Sequence, residues 1–141
     1  MTNEALCSLA LETMEKAYAP YSGYKVGAAL LLEDGKVYTG CNIENSSFTP
    51  TVCAERTAFF KAISERKEES LPRFVRIAVC GGENGKVTGP FPPCGVCRQV
   101  MSEFCGDDFE ILIITGAEPL EYRTMTLSEL LPLRFTPDFL N

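Results

Sequence analysis

Cys53, Glu55, Cys94 and Cys97 are the residues of this 141-residue chain whose types and spacing can do chemistry. Three thiols separated by 41 and 3 residues make a soft, reduced S₃ set. As thiolates they select zinc among common metals, and three protein ligands leave a fourth position for water. Spacing alone leaves two other chemistries open. Cys94-Gly95-Val96-Cys97 also fits a redox dithiol or half of a closed structural zinc site. The redox form wants its pair after a first strand, whereas this pair comes late, behind Pro90, Pro92 and Pro93. A closed site needs a fourth thiol near Cys53, and Cys41, 12 residues upstream, falls in a strand pattern. Glu55 follows Cys53 by two residues, on the same helical turn, within reach of a metal's water. Its other reading is a first-turn carboxylate that serves the helix dipole.

The chain has no His. That removes every Ser-His or Cys-His nucleophile pair and every imidazole ligand. Proton transfer then falls to carboxylates, thiols, Lys, Tyr or a metal's water. Thirteen Lys and Arg against nineteen Asp and Glu leave a formal charge of −6. With a pI near 4.7, a surface that tracks nucleic-acid phosphates is not expected. An apolar share of 45% and a charged share of 23% are those of an ordinary globular chain. The length suits one domain over residues 1–141. Met1-Thr2-Asn3-Glu4-Ala5 lacks the basic start of a signal peptide, and no apolar run approaches the roughly 20 residues of a spanning helix. A cytoplasmic location without membrane contact is expected, where an odd count of seven Cys stays reduced. Cys7, Cys41, Cys80 and Cys105 sit among apolar or small neighbours and read as small buried hydrophobes.

Two helix starts must position the thiols. Ala5, Leu6, Leu9, Ala10, Met14 and Ala17 recur at helical spacing ahead of Pro20. Val26–Leu32 reads as an apolar strand, Asp34-Gly35 as a hairpin turn, and residues 36–43 as the returning strand. After a loop over residues 44–51, a helix opens at Cys53 and fades into the charged stretch 64–70. Residues 73–80 form a strand, 81–93 a Gly- and Pro-rich loop, and 94–104 a helix with Pro93 in its first turn. A continuous apolar strand follows over 109–115, then Thr126-Leu127-Ser128-Glu129 as a capping box. Helix starts in successive right-handed crossovers lie near the same sheet edge, where their partial positive charge favours thiolates. The expected class is α/β, with helices layered on a mixed sheet.

Cys53-Ala54-Glu55 followed by Pro93-Cys94-Gly95-Val96-Cys97 resembles the zinc-dependent nucleoside and nucleobase deaminases, in the all-cysteine form. Residues 21–30, Gly40-Cys41-Asn42-Ile43-Glu44-Asn45, Cys53-Ala54-Glu55-Arg56-Thr57-Ala58 and residues 93–99 extend the likeness to the small homotetrameric cytidine deaminases. That resemblance implies a three-layer sandwich with a mixed central sheet. It implies hydrolysis of cytidine, with deoxycytidine as a second substrate, to uridine and ammonia in pyrimidine salvage. Cys53, Cys94 and Cys97 would hold one Zn²⁺ per chain, and Glu55 would shuttle protons. Asn42 and Glu44 would grip the ribose, and Tyr24, where the family usually carries Phe, would pack on the pyrimidine. Three thiolates and Zn²⁺ sum to −1, and Arg56 would offset that charge beside the thiolates. Phe48 and Phe135 resemble aromatic positions that complete a neighbouring subunit's pocket.

Plainer readings remain beside these: Asn42 as a turn residue, Glu44 as a solvated carboxylate, Arg56 as a surface cation, and Phe48 and Phe135 as packing. A deaminase acting on a cytosine-bearing antibiotic such as blasticidin S shares both thiol motifs. A zinc- or redox-binding interaction protein fits the thiols alone.

Overall fold

Continuous apolar strands, buried on both faces, build the centre of the molecule. In the computed structural model, which describes residues 1–140, the first helix α1 covers Asn3–Met14. Strands β1 (Tyr24–Leu32) and β2 (Val37–Cys41) form a hairpin, followed by helix α2 (Ala54–Ser64) and strand β3 (Phe74–Glu83). Helix α3 (Gly95–Phe104), strands β4 (Glu110–Ala117) and β5 (Leu120–Thr126), and the short helix α4 (Leu127–Leu130) complete the order, with one 3₁₀ turn at Pro137–Leu140. The five strands lie in the order β2-β1-β3-β4-β5. Only β3 and β4 pair in parallel; the other three ladders are antiparallel.

Successive strand residues point to opposite faces. Ala28, Leu30, Ile77, Val79, Ile111 and Ile113 pack beneath α2, α3 and α4, around Ala58, Phe59, Met101 and Leu127. Their neighbours Ala29, Leu31, Ala78, Cys80, Leu112 and Ile114 pack against Leu6, Cys7, Ala10 and Met14 of α1. Helix, sheet and helix thus make the three expected layers around a mixed sheet.

Several boundaries differ from the sequence reading, each for a local reason. α1 stops at Met14 with Glu15 as its C-cap, so Ala17 lies beyond the helix, and Ala5 faces solvent. β1 starts two residues before Val26, because Tyr24 and Lys25 pair with Glu83 and Gly82 of a β3 that runs on into the expected loop. β2 ends at Cys41, and Ile43 makes only isolated bridges to Tyr18 and Val52. Pro93 precedes the α3 N-cap, Cys94, rather than standing in the first turn. No sequence pattern predicts β5. It is an edge strand whose residues are at most half-buried, so Glu121, Arg123 and Thr124 carry no apolar signal. The capping box at Thr126 and Glu129 forms as its spacing predicts.

Two glycines let the helices approach the sheet. A Cβ at Gly27 would lie 2.2 Å from the carbonyl oxygen of Ala10 in α1. At Gly40 it would lie 2.4 Å from the carbonyl oxygen of Ala54 and 2.6 Å from the nitrogen of Ala58, in the first turns of α2. Gly40→Ala is therefore expected to lift the start of α2 off β2. Such overpacking costs about 1–3 kcal/mol. Thermal melting of the metal-free protein checks it, and an unchanged midpoint would contradict this packing.

Candidate metal and active site

Both thiol-bearing segments end at helix N-caps. Cys53 caps α2 in extended backbone (φ −73°, ψ 157°) and its carbonyl accepts from the Thr57 amide at 3.0 Å. The Thr57 hydroxyl donates to the carbonyls of Cys41 (3.1 Å) and Cys53 (3.2 Å), tying α2 to the end of β2. Cys94 caps α3, its Sγ accepting from the Cys97 amide at 3.5 Å. Arg98 donates to the carbonyl oxygens of Pro93 (2.8 Å) and Leu130 (2.7 Å), which fastens the α3 start to α4. Because β2, β3 and β4 all run in one direction, with β1 antiparallel to both β2 and β3, α2 and α3 start at the same sheet edge.

The three Sγ atoms there lie within 4.8 Å of one another. Cys53 Sγ and Cys94 Sγ are 3.8 Å apart, with no disulfide among the seven cysteines. A tetrahedral zinc with Zn–S bonds of about 2.3 Å separates its sulfurs by about 3.8 Å. The donor set therefore fits one zinc ion per chain, with one coordination position open to small molecules. Among the described residues this is the one such cluster of His, Cys, Asp or Glu.

The electrostatics around the sulfurs are divided. Cys53 is pushed down to about 5, first by a hydrogen bond from Cys97 and then by Arg56, against the opposing effect of burial. Cys97 moves up, through that same bond and its burial. Arg56 donates from Nη2 to Cys53 Sγ at 3.3 Å. Glu55, only 3% exposed, has its carboxyl raised to about 7 by burial, assisted by the charge on Cys53. The remaining thiols behave as packing: burial pushes Cys7 up to about 11 and Cys80 up to about 12. Cys41 and Cys105, expected to be buried, are only half-buried, at the end of an edge strand and at a helix C-cap.

Asn42, Glu44 and Tyr24 meet at the entrance to β1. Asn42 is buried; its Oδ1 accepts from the Val26 amide and its Nδ2 donates to the Tyr24 carbonyl, both at 2.8 Å. Its side chain continues the ladder that β2 has ended. Glu44 Oε1 accepts from the amides of Tyr21 (3.0 Å) and Ser22 (3.1 Å), and Oε2 from the Ser22 hydroxyl. The Ser22 hydroxyl, aided by those amides, holds the Glu44 carboxyl below the usual carboxylate range. Phe48, 79% exposed, joins Tyr21, Ser22 and Glu44 around a cavity of 360 Å³. Phe135 is elsewhere on the chain: its ring stacks on Phe139 (5.8 Å), and its carbonyl accepts from Gln99 and Ser102 of α3. A cleft of 660 Å³ lies at the opposite end of α2, around Asp34, Glu65, Arg66 and Arg73, and contains none of the thiols.

Neither Thr57, Phe91 nor Arg98 stands out by its spacing in the sequence. Arg98 carries a usable signal, because a cation at a helix start opposes the dipole and needs a reason to be there. Phe91 carries none beyond its proline neighbours.

The family described as "Cytidine and deoxycytidylate deaminase zinc-binding region" matches residues 1–112. The chain belongs to that family. It is 45% identical to the cytidine deaminase of Halalkalibacterium halodurans over 141 residues, all of this chain and 99% of that one. It is 43% identical to the cytidine deaminase of Sporosarcina psychrophila, over the whole chain and 96% of that protein. The crystal structure of cytidine deaminase from Burkholderia pseudomallei superposes with a TM-score of 0.83 at 44% identity, covering 96% of this chain and 100% of that one. These likenesses make the protein a small, bacterial-type deaminase with a zinc-binding region, and its α/β fold is that of the solved cytidine deaminases.

In zinc-depleted protein, Cys53 is expected to react with iodoacetamide as a thiolate at neutral pH. The sign follows from its lowered pKa: above about 5 the thiolate predominates, and below it protonation slows the reaction. Mass spectrometry of alkylated peptides across pH reads this out, and added zinc should protect. A rate that rises only above pH 8 would contradict the assignment.

Proposed function

We propose that the protein hydrolyses cytidine, and deoxycytidine, to the corresponding uracil nucleoside and ammonia, serving pyrimidine salvage in the cytoplasm. The observation that carries this reading is the meeting of Cys53, Cys94 and Cys97 with buried Glu55 at two helix starts, in a chain of the deaminase family. Cys53, Cys94 and Cys97 would hold the zinc. Bound there, it supplies the Lewis acidity that makes water a nucleophile near neutral pH. Glu55 takes a proton from the attacking water on a carboxylate oxygen and delivers it to N3 of the pyrimidine. The water oxygen bonds to C4, the C4–amine bond breaks, and the second proton leaves with the amine as ammonia. Cytidine and water thus give uridine and ammonia without change of oxidation state. Burial of Glu55 suits a carboxyl that exchanges protons with substrate rather than solvent.

Asn42 and Glu44 take the ribose. Asn42 keeps one N–H and one lone pair beyond its bonds to β1. The Ser22 hydroxyl on Glu44 occupies the kind of position a sugar hydroxyl would take. Tyr24, 44% exposed, offers its ring to the base. Arg56, donating to Cys53, offsets the net charge of −1 that three thiolates and Zn²⁺ carry. The chain works as one domain over residues 1–141 within a homotetramer, and the exposed rings of Phe48 and Phe135 supply the contacts by which subunits close each other's pockets. No described helix is long and apolar enough to cross a membrane.

Glu55→Gln is expected to keep about one zinc per chain by elemental analysis while losing turnover by at least about 10²-fold. Near wild-type ammonia release would remove Glu55 from the proton path. Wild-type protein should release ammonia from cytidine and from deoxycytidine but not from blasticidin S. Turnover of the antibiotic alone would redirect the substrate assignment.

A further inference from the structure

Phe91 takes no part in the sites described above, yet its ring lies near-parallel to Tyr24, with centroids 6.1 Å apart and planes inclined by 22°. It rests on bare backbone. A Cβ at Gly81 would come within 2.6 Å of Phe91 Cδ1, so the ring occupies space that only glycine leaves. Gly81 is paired with Val26, so the strands that carry Tyr24 also support its neighbour.

The segment holding Phe91 has little freedom. Pro90 and Pro92 flank it, and Pro93 follows. Proline fixes its own φ and restricts the residue before it, so Phe91 is constrained from its C-terminal side while Pro90 sets the approach. Pro93 is buried, and its carbonyl accepts from Arg98, which also reaches Leu130. Cys94 is the next residue. A short, proline-stiffened strut therefore runs from the Tyr24 ring to the first thiol of α3.

We propose that Phe91 is a positioning residue for the pyrimidine: it sets the orientation of the Tyr24 ring relative to the thiolate cluster. The proposal rests on the reading of Tyr24 as the ring that packs on the base. In this role Phe91 acts through its contact with the Tyr24 ring. A contact with the base that is equal in the ground and transition states changes KM and leaves kcat alone.

The test uses zinc-loaded Phe91→Leu, Phe91→Tyr, Tyr24→Ala and the Tyr24→Ala/Phe91→Leu double variant, with cytidine kinetics and zinc content measured on each. An aromatic pair's contribution corresponds to a change of about 3- to 10-fold. Phe91→Leu is expected to raise KM by that factor, with kcat within about twofold of wild type and zinc at one per chain. Phe91→Tyr should restore KM, and Phe91→Leu should add nothing in the Tyr24→Ala background. A wild-type KM in Phe91→Leu, or a full additional loss in the double variant, overturns the role of Phe91 and leaves that of Tyr24 standing. Loss of zinc in both Phe91 variants also overturns it, because Phe91 would then be holding the metal loop. An unchanged KM in Tyr24→Ala overturns the reading of Tyr24 and the proposal with it.

Discussion

Three thiolates within 4.8 Å of one another repel, and the fold is arranged to make that cluster tolerable. At an effective dielectric of about 20, two like charges about 4 Å apart cost about 4 kcal/mol. Without a metal the cluster lowers this by keeping a proton. Cys53 is driven toward thiolate while Cys97 is driven away from it, the two being joined by one hydrogen bond. Two helix N-termini and the Arg56 guanidinium supply positive potential around the same atoms. A divalent cation completes what these partial charges begin.

That compensation requires two helix starts at one place, and the sheet order delivers them. β2-α2-β3 and β3-α3-β4 are successive crossovers between strands of one direction, so α2 and α3 begin at the same edge. Their depth is set by small residues. Gly40 leaves room for the first turns of α2, and Thr57 fastens that turn to Cys41 at the end of β2. One residue beyond Cys41, the Asn42 side chain bonds both sides of the β1 entrance and continues the ladder in place of backbone. The strand end that positions the metal ligands therefore also shapes the entrance where Tyr24 and Glu44 sit.

Features written as local patterns were readable in the sequence. Thiol spacing, the Asp34-Gly35 turn, the capping box at Thr126 and the apolar runs of β1, β3 and β4 each depend on a few adjacent residues. The helix starts at Cys53 and Cys94 were legible for the same reason. What escaped depends on pairing and contact partners rather than on a segment's own composition. β5 is an edge strand with three of its seven residues exposed and none buried, so its pairing to β4, not its composition, makes it a strand. The extension of β3 through Gly81 and Gly82 exists because Val26 and Lys25 lie opposite. The contact of Phe91 with Tyr24 joins residues 67 positions apart across two strands and a loop, and no spacing rule reports it.

Arg56 and Arg98 show how an apparent local conflict marks a site. A cation in the first turns of a helix opposes the dipole, so each arginine is unfavourable by local rules alone. Each has an acceptor that reverses the sign. Arg98 bonds the carbonyls of Pro93 and Leu130, and Arg56 bonds a thiolate three residues behind it on the same helix. Spacing of i and i+3 puts Arg56 on the face of Cys53 by helix geometry. An imidazole at position 53 would carry one less negative charge. Under the proposed zinc reading, a thiolate at position 53 brings that additional negative charge, and the Arg56 guanidinium that bonds Cys53 Sγ lies on that same helical face.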